Sequence, residues 1–158
     1  MFRPQQPRIE RLARVALFAP CTRRELARID SLATQLVLET GSVLQREGTD
    51  ASAFFVIVSG VVSVMFDERR VGTLSDGHFF GAIGLLDRGP NVATVTATTP
   101  VDVLVFSRTE FKALLELAPG VGVTIMRAHA THTRSVLSEA RPEMAAEPRV
   151  AYLPSILN

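Results

Sequence analysis

Residues 80–95 form the stretch FGAIGLLDRGPNVATV, from which the type of fold can be inferred. Its beginning, GAIGLL at residues 81–86, is typical of one short helical turn after a loop rather than of a strand. Its end enters VATVTA, residues 92–97, in which successive side chains alternate between two faces. A period of two predicts a strand with one buried face. A helical turn therefore interrupts a series of strands.

Short runs of β-forming residues surround this stretch from Leu38 to Ser107, and a glycine divides them about every eight to twelve residues. This spacing is typical of an all-β sandwich or barrel. Gly60 marks a tight hairpin or bulge between two of the runs. The predicted strands cover residues 35–39, 43–45, 53–59, 61–66, 70–74, 92–97 and 101–107.

Helical patterns precede the strands. Two short segments with apolar residues at helical spacing are predicted between residues 9 and 37, and residues 18–20 form the break between them. Thr22 and Glu25 have the spacing of a capping box, which predicts that the second helix starts here.

Helical patterns also follow the strands. Ser107 and Glu110 predict the start of one helix, and the Pro-Gly pair at residues 119–120 predicts its end. A second helix is predicted over residues 121–139. Its apolar stripe has the spacing of a helix that packs on a partner, so we expect a homodimer through it. The stripe consists of Val123, Met126, Ala130, Thr133 and Leu137.

Composition predicts a single globular domain, since 47% of the 158 residues are hydrophobic and 21% are charged. The formal net charge of +1 gives no field that argues for nucleic acid or an anionic membrane. No apolar stretch reaches the roughly 20 residues of a spanning helix, and the N-terminus lacks a signal peptide pattern. With one cysteine, an internal disulfide is excluded, so we expect a cytoplasmic protein.

Candidate catalytic and metal-binding residues are few. His129 and His132 lie three apart on one predicted helix without a third ligand, which favours a solvated helix face over a metal site. His78 fits a turn with Asp76, and Cys21 fits a small packed side chain better than a nucleophile. We therefore expect no catalytic residues, no metal and no enzyme.

The order of elements and the residues of this stretch resemble the cyclic nucleotide-binding domain of catabolite regulators, kinase regulatory subunits and channels. One signature is the run from Gly48 to Gly60, and the other is residues 80–95, which are similar to the phosphate-binding cassette of that family and are called the cassette below. The resemblance covers about residues 9–137. It implies a mainly β fold, a jelly-roll-like β-roll with N-terminal helices and a long C-terminal helix.

Two anchors of the family's cassette are replaced in this sequence. The resemblance implies a glutamate for the ribose after Gly81, where Ala82 stands, and an arginine for the cyclic phosphate after Pro90, where Asn91 stands. The resemblance also implies a small or hydroxyl-bearing residue directly after the arginine position, where Val92 stands. Loss of two charge-assisted contacts removes about 3–6 kcal/mol, or about 10² to 10⁴ in affinity.

The predicted pocket keeps three features that could hold a ligand. Backbone N–H groups follow Gly81, and Arg88 lies in the same loop. The resemblance also implies an apolar shelf for the base, formed by Val64, Val71 and Leu74, and the alternative is that these three residues belong to the β-roll core. In one interpretation Arg88 turns toward the phosphate of a ligand. In the alternative, its side chain lies in solvent or pairs with Asp87. The predicted pocket residues are Gly81, Ala82, Ile83, Arg88, Pro90, Asn91, Val92, Ala93, Thr94, Val64, Val71 and Leu74.

The sequence leaves three functions open for a regulatory, non-enzymatic module. The first is a sensor whose binding of cyclic AMP or cyclic GMP is weak, altered or lost, or whose ligand is another small molecule. We expect no cofactor. The second is a scaffold that binds a protein partner and no small molecule. The third is a genuine cyclic AMP-binding protein that uses Arg88 and backbone amides.

The predicted domain organisation has three parts. Residues 1–8 form an extension, residues 9–140 the domain with its β-roll at about 35–107 and helices at about 108–139, and residues 141–158 a tail with prolines. We expect too few residues after Glu139 for a DNA-reading pair of helices. The apolar end of the tail, VAYLPSIL, suggests the hypothesis that Tyr152 and Leu153 fold back onto the shelf or onto a partner, and the alternative is a tail that packs elsewhere or is disordered.

Overall fold

The computed structural model describes residues 6–140, and the side chains of residues 8–131. The predicted tail, residues 141–158 with Tyr152 and Leu153, therefore lies outside the described residues. Helices and strands follow one another in the order α1 Gln6–Ala13, a 3-10 helix Ala16–Phe18, α2 Arg23–Leu32, β1 Thr34–Leu38, β2 Val43–Gln45, β3 Ala53–Ser59, β4 Val62–Phe66, β5 Arg69–Leu74, β6 Phe79–Phe80, α3 Ala82–Asp87, β7 Thr94–Ala97, β8 Val101–Ser107, α4 Arg108–Leu117 and α5 Pro119–Ala140.

The strands form two antiparallel sheets of four strands each. One has the order β1-β8-β3-β6 and the other β2-β7-β4-β5. This is the predicted β-roll with flanking helices, so the predicted fold class is confirmed. Gly60 joins β3 to β4 with a positive φ of 107°, as its place between two predicted strands indicates.

Two apolar clusters stabilise this architecture. The inner cluster fills the space between the sheets, and the helical cluster lies between the helices and the outer face of the β1-β8-β3-β6 sheet. Strand β3 contributes to both, because Phe55 and Ile57 point into the roll while Phe54 and Val56 meet the helices. The two clusters therefore share one wall.

Phe54 lies at the centre of the helical cluster. Its ring centroid is 4.9 Å from that of Phe111, 5.7 Å from that of Phe79 and 5.9 Å from that of Phe106. The side chain is fully buried. Truncation of such a phenylalanine typically costs about 3–5 kcal/mol of stability, so these rings hold α4 against β3.

Both predicted capping boxes are confirmed. The Glu25 N–H donates to Thr22 Oγ1 at 3.1 Å, and the Thr22 N–H donates to Glu25 Oε1 at 2.9 Å. Ser107 and Glu110 repeat the arrangement at the start of α4, with distances of 3.2 and 2.8 Å. These local hydrogen bonds satisfy amides that would otherwise lack partners at the helix starts.

The structure corrects the sequence prediction at several boundaries. A 3-10 helix, Ala16–Phe18, precedes the predicted break at residues 18–20 and overlaps it at Phe18, because Leu17 and Phe18 enter the helical cluster. The Pro-Gly pair at residues 119–120 opens α5 as well as closing α4, since proline fits the first position of a helix. Strand β6 was not predicted, and β7 begins two residues later than expected.

Within residues 6–140, none of the helices combines the length and apolar character that crossing a bilayer requires.

Candidate functional site

Gly81 turns the chain from strand β6 into the cassette helix α3. Its φ of 95° and ψ of −7° are left-handed. A Cβ at this position would lie far inside contact distance of the Ala53 carbonyl oxygen. Both the conformation and the space therefore require glycine, and the predicted short helix after it is confirmed as Ala82–Asp87.

The cassette helix ends in a loop that leaves Arg88 in solvent. Arg88 is the C-cap in a left-handed conformation with φ of 58°, and its side chain is exposed. The Asp87 carboxylate accepts a hydrogen bond from the Gly89 N–H at 2.8 Å. Within the described part of the chain, Arg88 has no ion-pair partner. Its side chain is therefore solvated rather than paired with Asp87.

Asn91 occupies the position that the resemblance assigns to the phosphate arginine, and it is fastened to the loop before β3. Its Nδ2 donates to Thr49 Oγ1 at 3.1 Å, its backbone N–H donates to the Thr49 carbonyl at 2.7 Å, and its carbonyl accepts from the Gly48 N–H at 2.8 Å. The side chain is 9% exposed. Asn91 thus serves the packing of two loops with a neutral side chain.

Ala82 occupies the position that the resemblance assigns to the ribose glutamate. It is 1% exposed and belongs to the helical cluster, together with Ala51 and Leu85. A carboxylate here would be placed among apolar side chains, where an unpaired charge is strongly disfavoured.

A cavity of about 230 Å³ opens between β2, the loop before β3 and Asn91. Gln45 at the end of β2 also lines it and is 8% exposed. Among the described side chains, Gln45 and Asn91 are the two polar side chains that are buried, and both line this cavity.

Gln45 has one satisfied and one unsatisfied amide atom. Its Nε2 donates to the Ala93 carbonyl at 3.2 Å. Its Oε1 is buried without a hydrogen-bond partner in the described structure, and it lies 3.5 Å from the point that a Cβ on Gly81 would occupy. A buried unsatisfied acceptor costs about 1–3 kcal/mol, which marks this position as unusual.

The sequence prediction did not include Gln45 in the site. Strand β2 has three residues, and its register with β7 shifts between Val43 and Gln45. A strand this short and irregular shows no alternation from which the buried face could be predicted.

The predicted apolar shelf is packed into the core. Val64 and Leu74 are 0% and 3% exposed, and Val71 packs against the same inner cluster. Phe55 and Phe80 stack beside them with centroids 4.7 Å apart. None of the three shelf residues lines the cavity that Gln45 and Asn91 share.

The other predicted pocket residues have mixed environments. Ala93 is fully buried in the inner cluster, and Ile83 and Val92 are half-buried. Thr94 accepts a hydrogen bond from the Glu47 N–H at 3.0 Å. Pro90 is exposed and forms an isolated antiparallel bridge with Asp50.

Arg108, which the sequence analysis did not single out, holds the cassette helix in place. Its guanidinium donates to the Ala51 carbonyl at 2.9 Å and to the Leu85 carbonyl at 3.4 Å. The first bond links residues 57 positions apart in sequence, and no local pattern signals such a contact. Arg108 connects the start of α4 to α3 and to the loop before β3.

A second, apolar feature adjoins the cassette on its outer side. A groove of about 660 Å³ runs between α4 and α5 and reaches Leu86 of α3. Val121 and Ile125 of α5 are buried in the helical cluster, whereas Val123 and Met126 are 50% and 61% exposed. Of the predicted stripe, Ala130 is exposed too, and the side chains of Thr133 and Leu137 lie outside the described residues.

The remaining candidate residues have structural environments. His78 Nδ1 accepts from the Ser75 N–H at 2.9 Å, which fits the predicted turn. Cys21 packs against the helical cluster, and burial, followed by the nearby Glu25 carboxylate, raises the pKa of its thiol above the ordinary value of a cysteine. Across the described residues no three histidine, cysteine or acidic side chains could hold a metal.

The β-roll, its interrupting cassette helix and the long helix after it define the class of cyclic nucleotide-binding modules. The family of the cyclic nucleotide-binding domain matches residues 35–117, and the chain belongs to this family. The predicted family resemblance is thereby confirmed.

Relatives of known description include a kinase regulator and a channel. The chain is 32% identical over 111 residues to a cAMP-dependent protein kinase regulatory subunit of Hypocrea atroviridis, which covers 70% of this chain and 24% of that protein. It is 31% identical over 116 residues to a cyclic nucleotide-gated potassium channel of Rhizobium etli, covering 73% and 32%. The chain thus spans about a quarter to a third of these relatives.

A solved structure with the same fold is the regulatory subunit of a cAMP-independent protein kinase A from Trypanosoma brucei, as a triple-substituted variant bound to cAMP in the A site. The TM-score is 0.70 at 22% identity, and the match covers 78% of this chain and 47% of that one.

Proposed function

We propose that this chain is a non-enzymatic regulatory module of the cyclic nucleotide-binding type whose site binds cyclic AMP and cyclic GMP weakly or not at all. The observation that carries the proposal is the environment of Asn91. Its neutral amide is hydrogen-bonded to Thr49 and supplies no charge to a cyclic phosphate. We also propose the cytoplasmic location that the composition suggests.

A further observation supports weak nucleotide binding. Ala82 cannot hold a ribose hydroxyl, and its side chain lies in the helical cluster. The site therefore lacks both of the charged contacts that the family resemblance implies.

Isothermal titration calorimetry tests the proposal directly. The purified protein is titrated with cyclic AMP and then with cyclic GMP up to millimolar ligand at low salt, beside a cyclic AMP-binding domain as positive control. We expect no saturable binding below about millimolar ligand, given the loss of about 10² to 10⁴ in affinity for two missing charged contacts. Micromolar binding would overturn the proposal, and Arg88→Gln would then show whether Arg88 holds the phosphate.

The groove beside α5 favours a second function, in which the module acts by self-association. Val123 and Met126 are exposed beside an apolar groove of about 660 Å³, and the stripe that they begin recurs at heptad-like spacing along a 22-residue helix. We propose a second copy of the chain as the occupant, with the two α5 helices packed together.

Light scattering with size-exclusion chromatography tests self-association. We expect a dimer for the unmodified protein and a monomer for Met126→Glu, because a charge in the centre of an apolar interface is disfavoured. Thr131→Glu, at an exposed position off the stripe, should leave the dimer intact. A monomer at high protein concentration would remove this second function.

A further inference from the structure

The orientation of the Gln45 amide is determined by its neighbour. The Ala93 carbonyl can only accept a hydrogen bond, so the atom 3.2 Å from it must be the amide nitrogen of Gln45. The carbonyl oxygen of the side chain therefore points away from β7, beside Gly81, where it has no partner in the described structure.

This arrangement places a negative partial charge beside the glycine that starts the cassette helix. The other buried polar side chain of the cavity, Asn91, is neutral, and the two charged residues that line it, Arg46 and Asp50, are exposed. An anion held by the first amides of α3 would lie near an amide oxygen instead of a buried cation. Because Oε1 itself is shielded from solvent, its dipole is screened less than that of an exposed amide.

We infer that Gln45 is a specificity-determining residue that disfavours an anion at the cassette, so that the site selects an uncharged ligand. The inference rests on the proposed function, since it explains in a third residue why cyclic nucleotides bind weakly. The inference also states that an arginine at position 91 alone does not restore cyclic nucleotide binding. Gln45 and Asn91 line the same cavity, and the unpaired Oε1 would accept hydrogen bonds from that arginine in place of the phosphate.

The test compares four proteins: the unmodified chain, Gln45→Met, Asn91→Arg and the double variant. Methionine keeps the length of the glutamine side chain and removes its carbonyl. Each protein is titrated with cyclic AMP, an anion, and with adenosine, its uncharged counterpart. The ratio of the two affinities is the readout, because a general change in the pocket would alter both ligands alike.

We expect Asn91→Arg alone to raise the affinity for cyclic AMP by less than about threefold, and the double variant to raise it by at least about tenfold beyond that, corresponding to one charge-assisted hydrogen bond. The affinity for adenosine should stay within about twofold across the set. Urea unfolding of each variant verifies the fold, and Gln45→Leu replaces Gln45→Met if the latter does not fold.

Two outcomes would overturn the inference. One is equal cyclic AMP affinity of Asn91→Arg and the double variant, and the other is absence of cyclic AMP binding by the folded double variant. Micromolar binding by the unmodified chain would instead refute the proposed function. The failures of the two ideas are therefore distinguishable.

Discussion

Substitution of Gly81 by alanine measures how strongly the structure depends on the turn into the cassette helix. Gly81 has φ of 95°, and Gly41 in the loop between β1 and β2 has φ of 92°. A Cβ on Gly41 would meet no atom within 4 Å, whereas a Cβ on Gly81 would overlap the Ala53 carbonyl oxygen. The two glycines therefore share the conformational requirement and differ in space.

The expected free energies follow from this difference. A left-handed conformation costs an alanine about 1–2 kcal/mol, which is the whole effect expected for Gly41→Ala. Gly81→Ala must in addition move α3 away from Ala53, and overpacking of this kind costs about 1–3 kcal/mol more. We expect Gly81→Ala to lower the free energy of unfolding by about 2–5 kcal/mol in total.

Urea unfolding followed by circular dichroism measures both variants, with the unmodified protein as reference. The slope of the unfolding free energy against urea should be the same in all three, so that differences in midpoint report stability. Equal destabilisation by Gly81→Ala and Gly41→Ala would refute the argument, because it would mean that the close approach to Ala53 does not constrain α3.

Three further predictions concern other contacts. Arg108→Met keeps the side-chain stem and removes the bonds to two backbone carbonyls, so we expect a loss of about 1–2 kcal/mol in urea unfolding. A double-mutant cycle of Asn91→Leu and Thr49→Val should give a coupling of about 0.5–1.5 kcal/mol from their hydrogen bond, and zero coupling would contradict the role given to Asn91. Glu25→Gln preserves the capping box but removes a charge that raises the pKa of the Cys21 thiol. More thiolate then exists at any pH below that pKa, so iodoacetamide should alkylate Cys21 faster, and the rate against pH measures this with Glu10→Gln as control.

Local signals were sufficient for much of the fold. The capping boxes at Thr22 and Ser107 predicted two helix starts, and Gly81 predicted the turn into α3, because each depends on residues a few positions apart. Strand β6 escaped prediction, since a Phe-Phe pair of two residues contains no alternation. Its place is determined by pairing with β3.

The site was predictable only in part, for a physical reason. The positions of Ala82 and Asn91 follow from the order of residues in the cassette, and the structure describes how each is buried. Gln45 lies next to a register shift between β2 and β7, and the register is a property of the sheet that the local sequence does not show. The bonds of Arg108 likewise join segments that are distant in sequence.

Strand β3 has a consequence for the way the protein opens. Its phenylalanines alternate between the roll interior and the helices, so removal of either layer leaves large apolar side chains of the same strand in water. The roll and the helices are therefore expected to melt as one cooperative unit, with the backbone amides of β3 among the slowest to exchange with deuterium.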